Sequence, residues 1–185
     1  MKLLLGALLC FASSNVAMAQ ISEIRAGVAA HDLGWSIINA DGDEELSTVF
    51  NAEIIFEEPE FLKWALSPQP YIGGTLNVEG QTSYGGAGLL WRQNLGEKLY
   101  GDFAFGLVLH DGILGKTFAE RLETRSTRNF YGSRILFRQQ LTLGVNLSDD
   151  WAAEAFVEHI SHGGLLSDGP NEGSDAAGVR VNRKF

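Results

Sequence analysis

Eight stretches of this sequence alternate apolar and polar residues with a period of two, and that pattern constrains the fold more than any other feature. Successive side chains of an extended strand point to opposite faces, so a period of two means a strand with two unlike faces. In the first stretch Ile24, Ala26, Val28 and Ala30 share a face, and in the second Phe50, Ala52, Ile54 and Phe56 oppose Asn51, Glu53 and Glu57. The third sets Ile72, Leu76 and Val78 against Tyr71, Thr75 and Asn77; the fourth sets Ala87, Leu89 and Trp91 against Tyr84 and Arg92. In the fifth, Leu99, Phe103, Phe105, Leu107 and Leu109 oppose Tyr100, Asp102 and His110. The sixth is the longest: Tyr131, Ile135, Phe137, Leu141, Leu143, Val145 and Leu147 lie opposite Arg134, Arg138, Gln140, Thr142 and Asn146.

Arginines, glutamates and glutamines on the second face of so many strands do not suit a soluble sandwich with one dry core. An eight-stranded antiparallel transmembrane β-barrel accommodates them, with apolar side chains toward lipid and polar ones paired inside a narrow lumen. Gly73, Gly86, Gly88, Gly101, Gly106 and Gly132 fit curved strands and a crowded interior. About 21 residues per strand and connection suit spanning strands of ~9–11 residues. An eight-stranded soluble barrel holding a ligand is the rival architecture. Mean hydropathy is −0.01, which two unlike faces produce by averaging, and no long apolar run lies beyond the N-terminus, so a helical membrane protein is excluded. The net charge of −9, with no block of Lys or Arg, argues against a nucleic-acid partner.

Residues 1–19 read as a secretory signal: Met1-Lys2, an apolar run from Leu3 to Ala12, and a small-residue stretch ending Ala17-Met18-Ala19. The only cysteine, Cys10, lies within it, which leaves residues 20–185 as a thiol-free barrel domain. The last stretch puts Ala177, Val179, Val181 and Phe185 on one face and Arg180, Asn182 and Lys184 on the other, with Arg183 breaking the pattern. A final strand closing on an aromatic residue resembles that of bacterial outer-membrane barrels, whose termini lie in the periplasm. The long connections, about 32–46 and 111–129, are then extracellular, and the short ones near 94–98 and 147–150 periplasmic. The segment 58–69, with Phe61-Leu62-Lys63-Trp64, reads as a periplasmic interfacial helical turn.

The seventh stretch, Trp151 to Ser161, carries the least expected residues. Its apolar face of Trp151, Ala153, Ala155 and Val157 continues by parity into His159 and Ser161, and polar groups facing a bilayer point to function. If His159 pairs with Asp175 across the last hairpin, the register sets Glu154 opposite Arg180 and Asp150 opposite Lys184, charges meeting in the interior. Residues two apart on a strand lie about 7 Å apart on one face. The His159 imidazole is therefore placed to take the Ser161 hydroxyl proton, and Asp175 to hold the other ring nitrogen. Backbone N–H groups of the following Gly163-Gly164 turn are candidate oxyanion donors.

The run His159-Ile160-Ser161-His162-Gly163-Gly164, then Asn171-Glu172-Gly173-Ser174-Asp175, resembles the outer-membrane lipid A 3-O-deacylase (PagL) family. That family carries H-x-S-N-x-G and then N-x-G-x-E on the last hairpin of an eight-stranded barrel. The resemblance implies His159 as base, Ser161 as nucleophile and Asp175 as acid, with Gly164 in the oxyanion region and His162, Gly163 and Asn171 in support. Here His162 stands where the family has asparagine, Asp175 replaces glutamate, and the connection between His159 and Asn171 is two residues longer.

The resemblance further implies an integral outer-membrane serine esterase with its site in the outer leaflet, removing the ester-linked acyl chain at position 3 of lipid A. Lipopolysaccharide is then the substrate, and Lys116, Arg121, Arg125 and Arg128 are candidate contacts for its phosphates. No metal or organic cofactor is expected: the four histidines, His31 and His110 included, form no metal-ligand spacing. A homodimer is compatible with the sequence without being required by it. Two other readings stand beside the deacylase, a structural or adhesive barrel and a lipid A acyltransferase.

Overall fold

A computed structural model describes residues 20–33, 45–115 and 128–185; the leader expected at 1–19 and the loop residues Lys116, Arg121 and Arg125 lie outside the described residues. The strands are β1 (Ile21–His31), β2 (Ser47–Phe56), β3 (Gln69–Asn77), β4 (Tyr84–Asn94), β5 (Leu99–His110), β6 (Ile135–Asn146), β7 (Trp151–Ser161) and β8 (Ser174–Lys184). Each pairs antiparallel with the next, and β8 returns to β1 to close the barrel. Lengths run from 9 residues in β3 to 12 in β5 and β6. At about 3.3 Å per residue these tilted strands match a bilayer's hydrocarbon core.

Polarity is inverted relative to a soluble protein. Ile24, Val28, Phe50, Ile72, Phe103, Leu107, Leu141, Leu143, Val179 and Val181 are exposed on the outer wall. Inside, Arg25, Arg138 and Arg180 are buried among carboxylates. Arg25 meets Asp102 at 2.7 Å and Glu23 at 2.9 Å; Arg138 meets Glu158 at 2.6 Å and Glu53 at 2.5 Å. Arg180 meets Glu154 at 2.5 Å and Glu53 at 2.9 Å, while Arg92 bridges Asp102 and Glu23. Tyr84 donates to Glu158, and Tyr100 donates to Glu154 at 2.5 Å. Buried charges are tolerable only when paired and hydrogen-bonded. This lattice pairs each of these charges and fills the lumen with side chains. Two glycines make room for it: a Cβ on Gly88 or Gly106 would lie 2.8 or 2.6 Å from the Tyr71 side chain.

The short connections 95–98 and 147–150 lie at the end that holds both described termini, as the pattern predicted. The segment after β2 forms a 3₁₀ turn, Glu60–Ala65, with Phe61 and Trp64 exposed, and Trp91 Nε1 donates to the Ala65 carbonyl at 2.9 Å to tie it down. The opposite end carries the connections 32–46, 78–83, 111–134 and 162–173. There Tyr84, Val108, Tyr131, Leu136 and Ile160 form a buried apolar cap over the ionic lumen.

The structure corrects three expectations. Tyr131 does not face lipid: β6 begins at Ile135, Gly132 turns the chain at φ 65°, and the Tyr131 ring is fully buried in the cap. Arg134, expected opposite it in the lumen, is exposed and donates to the His110 and Gly112 carbonyls. Asp150 lies opposite Lys184 as the register required, its carbonyl accepting the Lys184 N–H at 2.8 Å, but their charged side chains do not meet inside the barrel. The Asp150 carboxylate pairs with Arg183 at 3.1 Å, and Lys184 donates to Asn146 Oδ1 at 2.6 Å. The cause is the place of Asp150 in the turn below the closed lumen. Arg183 reaches that turn by lying along Trp151 and Phe185, its guanidinium 5.4 Å from each ring centroid, which accounts for a cation on the apolar face.

Candidate active site

The last hairpin adopts the register the charge pattern required. Glu154 faces Arg180, and His159 faces Asp175. Glu154, Phe156, Glu158 and Ile160 are buried on the lumen side of β7, so alternation turns His159 and Ser161 outward. The outer wall around them is apolar: Phe137 is the cross-strand partner of Ser161 and stacks on Phe105 at 5.8 Å, while Val157 and Ala177 form the next pair down from His159.

His159 Nδ1 lies 2.7 Å from Asp175 Oδ1, with the two side chains 18% and 15% exposed. An ionised carboxylate only accepts, so Nδ1 carries the proton and Nε2 presents a lone pair. Ser161 shares that outer face two residues along, and among the described residues its hydroxyl makes no hydrogen bond. An imidazole held by a carboxylate on the same outer face as an unengaged serine has the chemistry to act as a general base toward it.

After Ser161 the chain reverses through a turn closed by Leu165 N–H donating to the His162 carbonyl at 3.1 Å. Gly163 and Gly164 occupy its centre at φ 61° and 70°, the left-handed pair of a type I′ turn. His162, expected in support of the site, is buried beneath the turn. Its ring is 1% exposed, with Nε2 donating to the Pro170 carbonyl at 3.0 Å and Nδ1 accepting the Gly164 N–H at 3.1 Å. Asn171 Oδ1 accepts the His162 backbone N–H at 2.9 Å. Both residues thus fasten the turn to the returning strand. Even parity drives the His162 ring inward, away from Ser161. That leaves the Gly163 N–H without a partner among the described residues, and a Cβ on Gly163 would meet the Phe137 ring at 3.8 Å, which places Gly163 beside Ser161 on the outer wall.

The other candidates fall elsewhere. Arg128 is bound to Glu45 at 2.8 Å, and His110 packs on Tyr131 with Nε2 2.6 Å from the Ser133 carbonyl. Among the described residues no group of three or more His, Cys, Asp or Glu side chains is arranged to hold a metal ion. Sequence reasoning missed Glu45 and Asp32, both buried in connections where charge is ordinarily solvated. No local pattern marks them, because their partners are distant in sequence.

Comparison with known proteins bears on the fold and the family. The structure is similar to the crystal structure of the outer membrane enzyme PagL, with a TM-score of 0.61 at 12% identity over 89% of this chain and 100% of that one. It is also similar to Neisserial surface protein A (NspA), TM-score 0.55 at 13% identity over 88% of this chain and 96% of that one. The N-terminal β-barrel domain of Pseudomonas aeruginosa OprF gives a TM-score of 0.52 at 10% identity over 90% and 99%. These likenesses identify the fold as the outer-membrane barrel; no curated protein matches the sequence significantly. A sequence model of lipid A 3-O-deacylase (PagL) matches residues 60–184, a span that holds β3 to β8 and every residue of the hairpin site, and the chain belongs to that family.

Proposed function

We propose that this protein is a serine esterase of the outer membrane that hydrolyses the ester-linked acyl chain at position 3 of lipid A. The observation that carries the reading is the His159 Nδ1–Asp175 bond of 2.7 Å on the outer wall, which leaves Nε2 free on the face that bears Ser161. Family membership supplies the substrate class. The site lies at the end of the barrel opposite the termini, and with periplasmic termini that end is the outer leaflet, where lipopolysaccharide resides.

In this scheme His159 Nε2 takes the Ser161 hydroxyl proton as Oγ attacks the ester carbonyl. The oxyanion of the tetrahedral intermediate accepts the Gly163 N–H, and Asp175 stabilises the imidazolium. Collapse breaks the bond to the sugar oxygen, which leaves as an alcohol with the proton from His159, and the acyl group stays on Ser161. Water then gives a proton to His159 and attacks the acyl carbonyl. The second collapse returns the proton to Ser161 and releases the fatty acid. The scheme draws on no cofactor.

Membranes containing the protein, incubated with lipopolysaccharide, provide the test when the lipid A is weighed by mass spectrometry. Loss of one hydroxyacyl mass supports the deacylase, and Ser161→Ala and His159→Ala abolish it. A gain of one acyl mass indicates transfer to a lipid acceptor. An unchanged mass refutes the catalytic reading and leaves a structural barrel.

A further inference from the structure

Glu45 is fully buried in a connection, a costly place for a carboxylate that serves no purpose. It accepts Arg128 Nε at 2.8 Å, the Asn129 and Thr82 N–H groups at 3.2 Å each, and Tyr131 Oη at 3.4 Å. These donors come from the β3–β4 and β5–β6 connections, so one carboxylate pins the β1–β2 connection to two others. Burial alone would raise the Glu45 pKa, but the neighbouring His31 ring and hydrogen bonds from Thr82 and Arg128 hold it at about 2.

Glu45 reaches the hairpin site through its backbone. Glu45 N–H donates to Asp32 Oδ2 at 2.8 Å. Asp32 and Leu33 N–H groups donate to the Asp175 carbonyl at 2.7 and 3.2 Å. The β1–β8 ladder ends at the pair His31↔Ala176, so Asp175 lies one residue beyond it, and the β7–β8 ladder stops at Ile160↔Ser174. Ladder ends fray at little free-energy cost. Here the chain curls back at Asp32, φ 58°, a left-handed conformation that aspartate tolerates, and both N–H groups close on the exposed carbonyl. His31 adds a second tie, with Nε2 3.4 Å from Ser174 Oγ and 3.6 Å from Glu45 Oε2.

We propose that Glu45 is a positioning residue for the site: fixed by its carboxylate, it holds Asp32 through its own N–H, and so keeps Asp32 and Leu33 against Asp175 and the Asp175 carboxylate in line with His159. This rests on the esterase reading above. The test uses the full protein in detergent micelles, with lipopolysaccharide as substrate and folding verified by heat-modifiable electrophoretic mobility. Glu45→Gln keeps the shape and removes the charge. Asp32→Gly keeps the left-handed turn and removes the acceptor.

The expected result in both is a fall in kcat of about tenfold to a hundredfold, the scale of a sub-ångström displacement beside reacting atoms, with KM within about twofold. The low-field proton resonance of His159 Nδ1–H, identified by its loss in His159→Gln, is expected to shift or broaden. Folded variants with unchanged kcat and unchanged resonance overturn the proposal. If the wild-type protein releases no acyl chain, the esterase reading falls and the resonance alone decides the clasp. Should Glu45→Gln fail to assemble, Arg128→Gln removes one donor and applies the same criteria.

Discussion

His162 offers the sharpest separation between a residue that donates to the oxyanion and one that fastens the turn. Replacing it by alanine removes a buried ring and two hydrogen bonds, leaving the Pro170 carbonyl and the Gly164 N–H to find other partners. A buried group left unpaired costs about 1–3 kcal/mol. Gly164 is exposed and water can reach it, so the penalty falls mainly on the Pro170 side, about 2 kcal/mol borne by the 162–173 connection, while the ionic lattice that holds the barrel is untouched. If the loosened turn withdraws the Gly163 N–H from the oxyanion, the loss is that of one such donor, about 10²–10³ in kcat.

Two further substitutions divide the ring's roles. In asparagine the amide oxygen stands one bond from Cγ, as Nδ1 does, so His162→Asn retains an acceptor for Gly164. Glutamine carries its amide nitrogen near the position of Nε2 and retains a donor for Pro170. Acyl release from lipopolysaccharide, followed by mass spectrometry on folded protein, is expected to show a drop of about a hundredfold in kcat for His162→Ala at nearly constant KM. His162→Asn is expected to recover most of that loss and His162→Gln little, because the Gly164 bond lies inside the turn. Wild-type kcat in all three folded variants would refute the claim that this ring sets the Gly163 N–H.

Asp175→Asn removes the carboxylate that fixes the His159 tautomer and stabilises the imidazolium, so kcat is expected to fall about a hundredfold or more, with Asp175→Glu retaining the larger part of activity; equal activity in the two would show that charge at this position is irrelevant. Arg138→Met strips Glu53 and Glu158 of a shared partner in a sealed lumen, for which about 3–5 kcal/mol of destabilisation is expected, read as an earlier midpoint in the heat-induced mobility shift. The Glu45 pKa falls from 4.5 to about 2 on folding, so its contribution to loop stability is complete above about pH 4.5 and disappears as pH drops toward 2. Proteolysis of the connections at the hairpin-site end of the barrel is accordingly expected to stay slow at pH 5 and to accelerate only below about pH 4.5 in an acid-active protease assay.

Strand count, the lengths of the short turns and the hairpin register were legible in the sequence because a period of two leaves each strand only two choices of inward face. Glu154 and Arg180 fix that choice for the last hairpin, and His159↔Asp175 follows five residues along each strand. Tyr131 was misplaced because it shares the parity of Ile135, and alternation carries no mark of the point where Gly132 bends the chain. Lys184 and Asp150 have opposite charge and the right register, but Asp150 lies past the strand end, where parity no longer says which way a side chain points. The two ring contacts of His162 are to Pro170 and Gly164 backbone groups in an irregular connection, where no period marks them. Glu45 was silent for a different reason: its partners Thr82, Arg128 and Tyr131 come from connections that only barrel closure brings together.

The ionic lumen and the outer site are two faces of one strand, and the first determines the precision of the second. Slipping β7 by one residue against β8 would turn Glu154 and Glu158 into lipid and His159 and Ser161 into the lumen, which the arginine lattice forbids. Glu158 sits immediately before His159 and accepts Arg138 and Gln140 of β6 and Tyr84 of β4, so the backbone carrying the imidazole is gripped from within by two other strands. Ile160, between His159 and Ser161, is likewise locked in the apolar cap. A site on an exposed strand end therefore gains rigidity from contacts the substrate never touches. It follows that Arg138→Met, a change on the lumen face opposite the reacting atoms, is expected to lower kcat as well as stability, and a folded variant with undiminished kcat would separate the two faces.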